Sequence, residues 1–270
     1  FKRFLNEEFS INRRKSAFSF KNGIRYTMQN LPNFKKNIDK NIDIIDLVSI
    51  NKKKIEASII KVNCHPVAAQ KNIIGPDYVG KIKKNLKKRS NLLFFLQGFC
   101  GDIRPKIIKS DKTIKDFIIR IIIGKRFRLP NKNDIMKIGN SVAKSISKPE
   151  LPKSTFSIDN INSSYQIKHK IKLSDGSYLK KTLNLTMWNW GEVIFLFLNG
   201  EILSGYNISE YKNKTVICVG YANGMIGYLP TRSDIIKGGY EVNKSRKNFA
   251  IKSKISSENE KTLKVKINKL

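Results

Sequence analysis

Apolar residues along this chain fall into two patterns: short continuous runs, and stripes spaced three or four residues apart. The runs "IEASIIKVN" (55–63), "LLFFLQ" (92–97), "VIFLFL" (193–198) and "TVICVG" (215–220) predict strands covered on both faces. "DIIDLVSI" (43–50) predicts a further strand, whereas residues 1–42 are mixed and polar and predict no definite element. After the Gly75-Pro76 turn, Asp77 is placed to cap a helix with Val79, Ile82 and Leu86 on one face. "NKNDIMKIGNSVAKSISK" (131–148) predicts the clearest helix, with a stripe of Ile135, Ile138, Val142 and Ile146. Residues 107–123 are apolar without a decisive period, and "GEILSGYNISEY" (200–211) can turn into a helix. Two alternating segments within 155–187 flank an "SDGS" turn and predict a hairpin. Strands interleaved with helices predict a single α/β domain, with a mixed, largely buried β-sheet flanked by helices and a possible sub-boundary at 149–153, around Pro149 and Pro152.

Polar chemistry collects where the four buried runs stop. The first gives way to Asn63-Cys64-His65-Pro66, the second to Gln97-Gly98 through Gly101-Asp102. The third ends in Asn199-Gly200-Glu201, the fourth in Gly220-Tyr221 through Tyr228. Open α/β sheets bind ligands beyond the carboxyl ends of their strands, which makes His65, Asp102, Glu201 and Tyr228 candidates for one shared site if those strands are parallel neighbours. Each has a plainer reading. His65 can be a turn histidine, Asp102 a turn or capping aspartate, Glu201 a helix N-terminal carboxylate and Tyr228 a half-buried core aromatic. The second histidine, His169, stands at a polar-facing position of an alternating strand and is expected at the surface. Imidazole and carboxylate are good ligands for Zn²⁺, whose bound water ionises near neutral pH; a phenol is an uncommon one.

Composition adds a formal charge of +32. Such a charge points to nucleic acid or anionic membrane, but the lysines run through the whole chain with no arginine-aromatic recognition motif and no zinc-finger spacing. Specific nucleic-acid recognition is therefore not expected; loose adhesion to polyanions is. Cys64, Cys100 and Cys218 are odd in number and far apart, which argues against a disulfide framework. Cys100 as a nucleophile has no histidine near it in sequence. The compartment stays open.

At the same four places the sequence resembles the neutral ceramidase family, zinc-dependent amidases that cleave ceramide to sphingosine and fatty acid. "NCHPVAAQKNIIGPDYVG" resembles the family's histidine segment, "FFLQGFCGDIRP" its Gly-Asp-x-x-Pro loop and "FLFLNGE" its strand-Gly-Glu step. "GYANGMIGYLPTRSDIIKGGYEV" is the nearest match, and "INRR" (11–14) also fits. The resemblance implies a zinc ion held by His65, Glu201 and Tyr228 plus one more histidine, which the family carries in an upstream His-Thr-His-Ser stretch. That stretch is missing here, so the chain is expected to be the C-terminal portion of one ceramidase-like catalytic domain, lacking the upstream part. Tyr228 is expected to assist catalysis as well as hold the metal, with Asp102 and Gly101 shaping the adjoining loop. Arg104 replaces a family serine; it and Tyr221 are expected to contact substrate, Arg104 by recognising an anionic group and Tyr221 chiefly by packing. The implied substrate is a lipid amide, with peripheral contact to an anionic membrane. The rival readings are a noncatalytic homologue and a basic protein that binds polyanions or anionic membranes.

Overall fold

The computed structural model describes residues 1–20, 23–49, 51, 54–69, 74–90, 92–146 and 164–268. The proposed boundary at 149–153 lies outside them. Within them the fold is α/β, built on two principal sheets lying face to face. The first contains β1 (Lys2–Leu5), then, skipping a ribbon of β2 (Ser10–Ser19) and β3 (Arg25–Asn33), β4 (Asn41–Ser49) and β5 (Lys54–Val62). After helix α1 (Asp77–Leu86) it is completed by β6 (Leu92–Gln97), in the order β1-β4-β5-β6 with β5 and β6 parallel. A short β7 (Ile103–Pro105) joins the β2–β3 ribbon, and two helices follow, α2 (Ile114–Ile123) and α3 (Lys132–Ile146).

The second sheet is made from β8 (Ser164–Lys172), β9 (Tyr178–Trp190) and β10 (Val193–Leu198). After a minimal β11 (Glu201–Ile202), it adds β12 (Glu210–Tyr211) and β13 (Lys214–Val219). Its order is β12-β13-β10-β9-β8, with β10 and β13 parallel. The chain then forms β14 (Tyr228–Leu229), α4 (Arg232–Lys237) and a C-terminal α5 (Glu258–Asn268).

The continuous apolar runs of β5, β10 and β13 make sense in this arrangement because those strands have two dry faces, whereas β6 was expected to be covered on both and is instead an edge strand with Leu92 and Phe94 exposed. Ile45 of β4 packs with Val193, Phe195, Ile217 and Val219 between the sheets. The alternate residues Ile42, Ile44, Ile60 and Val62 face outward to α1 and α3, meeting Ile82, Ile138, Val142 and Ile146. On the far side, Leu196, Leu198 and Cys218 lie in a core with Leu263 and Ile267 of α5. The stacking is therefore helix, sheet, sheet, helix, with three apolar layers between.

Several expectations need correction. Residues 1–42 hold three strands; β2 escaped notice because its interior positions are polar, with Asn12 and Arg14 almost fully buried. Residues 200–211 form β11, a single 3₁₀ turn at Ser204–Tyr206 and β12, not a helix. Asp77 does not cap α1 from outside. It is the first helical residue, at φ 51°, and its carboxylate accepts the backbone N–H groups of Tyr78 and Ala69, fastening the loop that follows His65.

Polar groups also cross between layers. Lys61 is buried, with its ammonium 3.0 Å from Asp43 and 3.2 Å from Asp39. Asp39 in turn accepts from the Asn63 and Asn207 amides, so a carboxylate joins the end of β5 to the segment after β11.

Candidate functional site

Four strand ends meet because the two sheets present their parallel pairs at the same edge. The backbone closes the junction: the Gly98 N–H bonds to Val62, Gly220 to Gln97, Tyr221 to Gly200 and Gly101 to Ile202. Residues following β5, β6, β10 and β13 are thereby brought onto one surface, as the ligand-binding edge of an α/β sheet requires.

Gly101 shows how tight the junction is. A Cβ there would lie 2.7 Å from the Glu201 carbonyl oxygen and 3.0 Å from that of Ile202, so any larger residue pushes β11 away. β11 pairs in parallel with β14, placing Glu201 directly beside Tyr228. Gly227, at φ +100°, turns its carbonyl to the Glu201 N–H at 2.9 Å and leads into Tyr228.

On this frame the His65 Nε2 stands 2.9 Å from Glu201 Oε2. The other ring nitrogen, Nδ1, lies 2.9 Å from the Ile103 carbonyl, an acceptor that requires Nδ1 to carry a proton. Burial opposes charge on the imidazole, but Cys100 and Glu201 outweigh it and raise the His65 pKa to about 10. Burial likewise works against the Glu201 carboxylate, yet His65 and the two tyrosines hold it below its ordinary range. With His65 protonated, the two side chains form an ion pair.

Tyr221 is the residue whose part the sequence understated. It packs against the helical-side core as expected, but its hydroxyl also lies 2.8 Å from His65 Nε2 and 3.2 Å from Glu201 Oε2. Its backbone sits in the left-handed region at φ 61°, uncommon for an aromatic residue and a strain often found at functional positions. Burial and the neighbouring Cys100 and Glu201 drive its pKa far upward, so it stays a neutral donor. A positive-φ tyrosine leaves no signature in a sequence; the adjoining Gly220 was the available signal.

Tyr228 is buried, and its hydroxyl accepts from Arg13 Nη2 at 3.1 Å. Arg13 also donates to the Gly101 carbonyl at 2.8 Å and to Glu241 at 2.9 Å. Glu241 is buried between Arg13 and Arg14. The "INRR" and "GGYEV" stretches, far apart in sequence, therefore meet as one ion-pair cluster behind Tyr228.

The remaining candidates are placed differently. Asp102 is fully buried and its carboxylate accepts from Asn12, Lys36 and both the N–H and hydroxyl of Ser204. Through these bonds it anchors the loop beneath the site. Arg104 is half-buried, its guanidinium 4.3 Å from the centre of the Phe127 ring, with the Nε buried and without a hydrogen-bond partner. Cys100, short of a sequence neighbour, does have His65 beside it in space; it is fully buried, receives the Gln97 amide and lies 4.0 Å from the Tyr221 hydroxyl. His169 is corrected outright: it is buried on β8 under α5, its Nε2 unpartnered, and stands in the second sheet away from His65. Burial and Lys266 lower its pKa.

As a metal site the donors fit in part. His65 is oriented by a carbonyl at Nδ1 and offers Nε2 towards a carboxylate, the arrangement of a metal-bound histidine. Among the described residues, however, no group of three or more His, Cys, Asp and Glu side chains converges, so the remaining positions fall to phenol oxygens or to groups outside this set.

No protein-family model matches the chain, and no curated protein sequence matches it significantly. Solved structures do. Neutral ceramidase from Pseudomonas aeruginosa superposes with a TM-score of 0.58 at 13% identity, over 88% of this chain and 47% of that one. A ceramidase complexed with C2 gives a TM-score of 0.58 at 12% identity, over 88% and 48%. The chain thus spans about half the length of the structures it matches, and at such identity the likeness establishes a ceramidase-like fold.

Proposed function

We propose that this chain carries the catalytic surface of a zinc-dependent amide hydrolase whose substrate is ceramide or a related N-acyl lipid, yielding a sphingoid base and a fatty acid. The observation that supports it most is the meeting of His65 Nε2, Glu201 Oε2 and the Tyr221 hydroxyl within 3.2 Å of one another at converging strand ends. The ceramidase-like fold supplies the reaction class.

On this reading His65, Glu201 and Tyr228 would hold the ion. Bound zinc supplies a water that ionises near neutral pH and polarises a carbonyl. The His65 Nδ1 bond to Ile103 fixes the ring so that Nε2 is the nitrogen that gives up its proton on metal binding. That proton would pass to solvent or to the adjoining Glu201 carboxylate, at which Tyr221 also directs a neutral O–H. Burial and Glu201 outweigh the Arg13 guanidinium and raise the Tyr228 pKa, so the phenol keeps its proton and would be available as a neutral donor to an oxygen that gains charge as the amide is attacked. Arg104 offers a cation at the rim with no carboxylate partner among the described residues, suited to an anionic group on the substrate.

Metal analysis of the purified complete protein tests this. Stoichiometric zinc in the wild type, lost in His65→Ala and in Glu201→Ala with the fold retained, supports it. Zinc at wild-type level in both variants ends the ligand assignment, and absence of zinc from a folded wild type leaves the noncatalytic homologue.

A further inference from the structure

Helix α2 is turned inside out. Of its ten residues the one fully covered is an acid, Asp116. Ile114, Phe117, Ile118, Ile121 and Ile122 are between 47% and 81% exposed, and Leu129 just beyond is 83% exposed. Positions 114, 117, 118 and 121 share one helical face, so these side chains form a single outward apolar stripe.

The helix itself is well made. Thr113 caps its start by accepting the Asp116 N–H at 3.1 Å, and Gly124 ends it at φ 92°. Its base is closed by backbone bonds from Lys109 to Arg126 and from Arg128 to Ile107. Asp116 is gripped by Lys109 and Arg126, and Asp111 by Arg120. The stripe is therefore presented rigidly and by design of the polar side, not by fraying.

The charge around it has one sign. Residues 109–128 contain seven Lys and Arg against two Asp, and both aspartates are already paired. Lys112 and Lys115 are exposed and have no acidic partner among the described residues, while Lys125 rests over the Phe34 ring. An apolar stripe edged by free ammonium groups matches the boundary between acyl chains and anionic headgroups. Among the described residues no helix is long and apolar enough to cross a membrane, so α2 would lie in the interface plane.

We infer that α2 is an interfacial anchor that seats this protein on an anionic lipid bilayer, with Ile114, Phe117, Ile118 and Ile121 entering the acyl boundary and Lys112 and Lys115 meeting lipid phosphates. The anchor stands on α2 alone and is independent of the hydrolase reading. It also has a consequence for that reading: the same segment carries Phe127, which stacks on Arg104, and Arg104 follows Ile103, the partner of His65. Docking through α2 brings this rim close to the lipid surface.

Flotation of the full chain with vesicles tests the inference, using phosphatidylcholine alone and phosphatidylcholine mixed with phosphatidylglycerol. The wild type is expected to float with the mixed vesicles and much less with the neutral ones. Ile118→Asp combined with Ile121→Asp, and separately Lys112→Glu combined with Lys115→Glu, should each weaken partitioning by roughly tenfold or more. Thermal melts verify folding; should the aspartate pair lower the melt, Ile118→Ser with Ile121→Ser is read instead. A wild type that stays out of mixed vesicles overturns the inference. So does unchanged flotation of the isoleucine variants, which would reduce the binding to diffuse charge, or a self-association abolished by them without any vesicle binding.

Discussion

The His65 imidazole and the Glu201 carboxylate meet at 2.9 Å across a separation of 136 residues. Nothing local holds either in place: one follows the end of β5, the other starts β11, and the contact depends on two sheets sharing an edge. Perturbations of that edge are therefore expected to act on the pair, and they can be separated from effects on the core.

Tyr221→Phe removes the hydroxyl between the two residues and keeps the ring in its core contacts. Amide hydrolysis is expected to fall by about tenfold to a hundredfold, within the range for a lost proton-donating group. Stability should change by less than about 1 kcal/mol, since the change deletes one partly buried hydrogen bond. Steady-state kinetics beside a denaturation curve reads both; full activity in the phenylalanine variant would refute the assignment.

Gly101→Ala brings a methyl group against the Glu201 and Ile202 carbonyls, at 2.7 Å and 3.0 Å before relaxation. Backbone must move, at an expected cost of about 1–3 kcal/mol for overpacking. On the proposed zinc-hydrolase reading, metal affinity and activity should fall with it, because Glu201 rides on the displaced strand. A variant as stable and as active as the wild type would show that β11 is free to shift.

Asp102→Asn is expected to lower stability by about 3 kcal/mol by leaving Lys36 and the Ser204 donors with a poorer acceptor. Burial alone would raise the Asp102 pKa, but Lys36 and Ser204 override it and lower it below its ordinary value. A carboxylate depressed in the folded state contributes fully above its unfolded pKa of about 3.9, and that contribution is lost as pH falls through the folded pKa. Denaturant titrations at stepped acidic pH should therefore show a steeper loss in the wild type than in Asp102→Asn. Parallel curves would contradict the linkage.

Arg104→Ser removes the rim cation while leaving the Ile103 carbonyl that orients His65. Turnover of an N-acyl substrate carrying a carboxylate or phosphate should drop by about tenfold, chiefly through KM, with a neutral analogue little changed. Equal effects on both substrates would deny Arg104 a part in selection.

Much was legible from residue order because it follows from one-dimensional periodicity. The runs at 55–63, 193–198 and 215–220 became strands covered on two faces, the run at 92–97 became an edge strand with Leu92 and Phe94 exposed, and the Ile138–Val142–Ile146 stripe became the buried side of α3. The polar signatures at their ends also came together. Reading failed where burial involved polar groups. Asn12 and Arg14 lie inside β2 because Asp102 and Glu241 await them there, and no alternation of hydrophobicity marks such a strand.

By itself, then, the sequence determined which apolar-patterned segments are strands or helices and which residue types stand at the ends of the apolar strands, since both depend on neighbours along the chain. The tertiary structure decided which of those residues touch. It set Tyr221 between His65 and Glu201, closed Asp102 into the loop's support, buried His169 under α5 and turned the apolar face of α2 outward. Each of those outcomes depends on the packing of distant elements, a property of three-dimensional neighbours that the order of residues does not express.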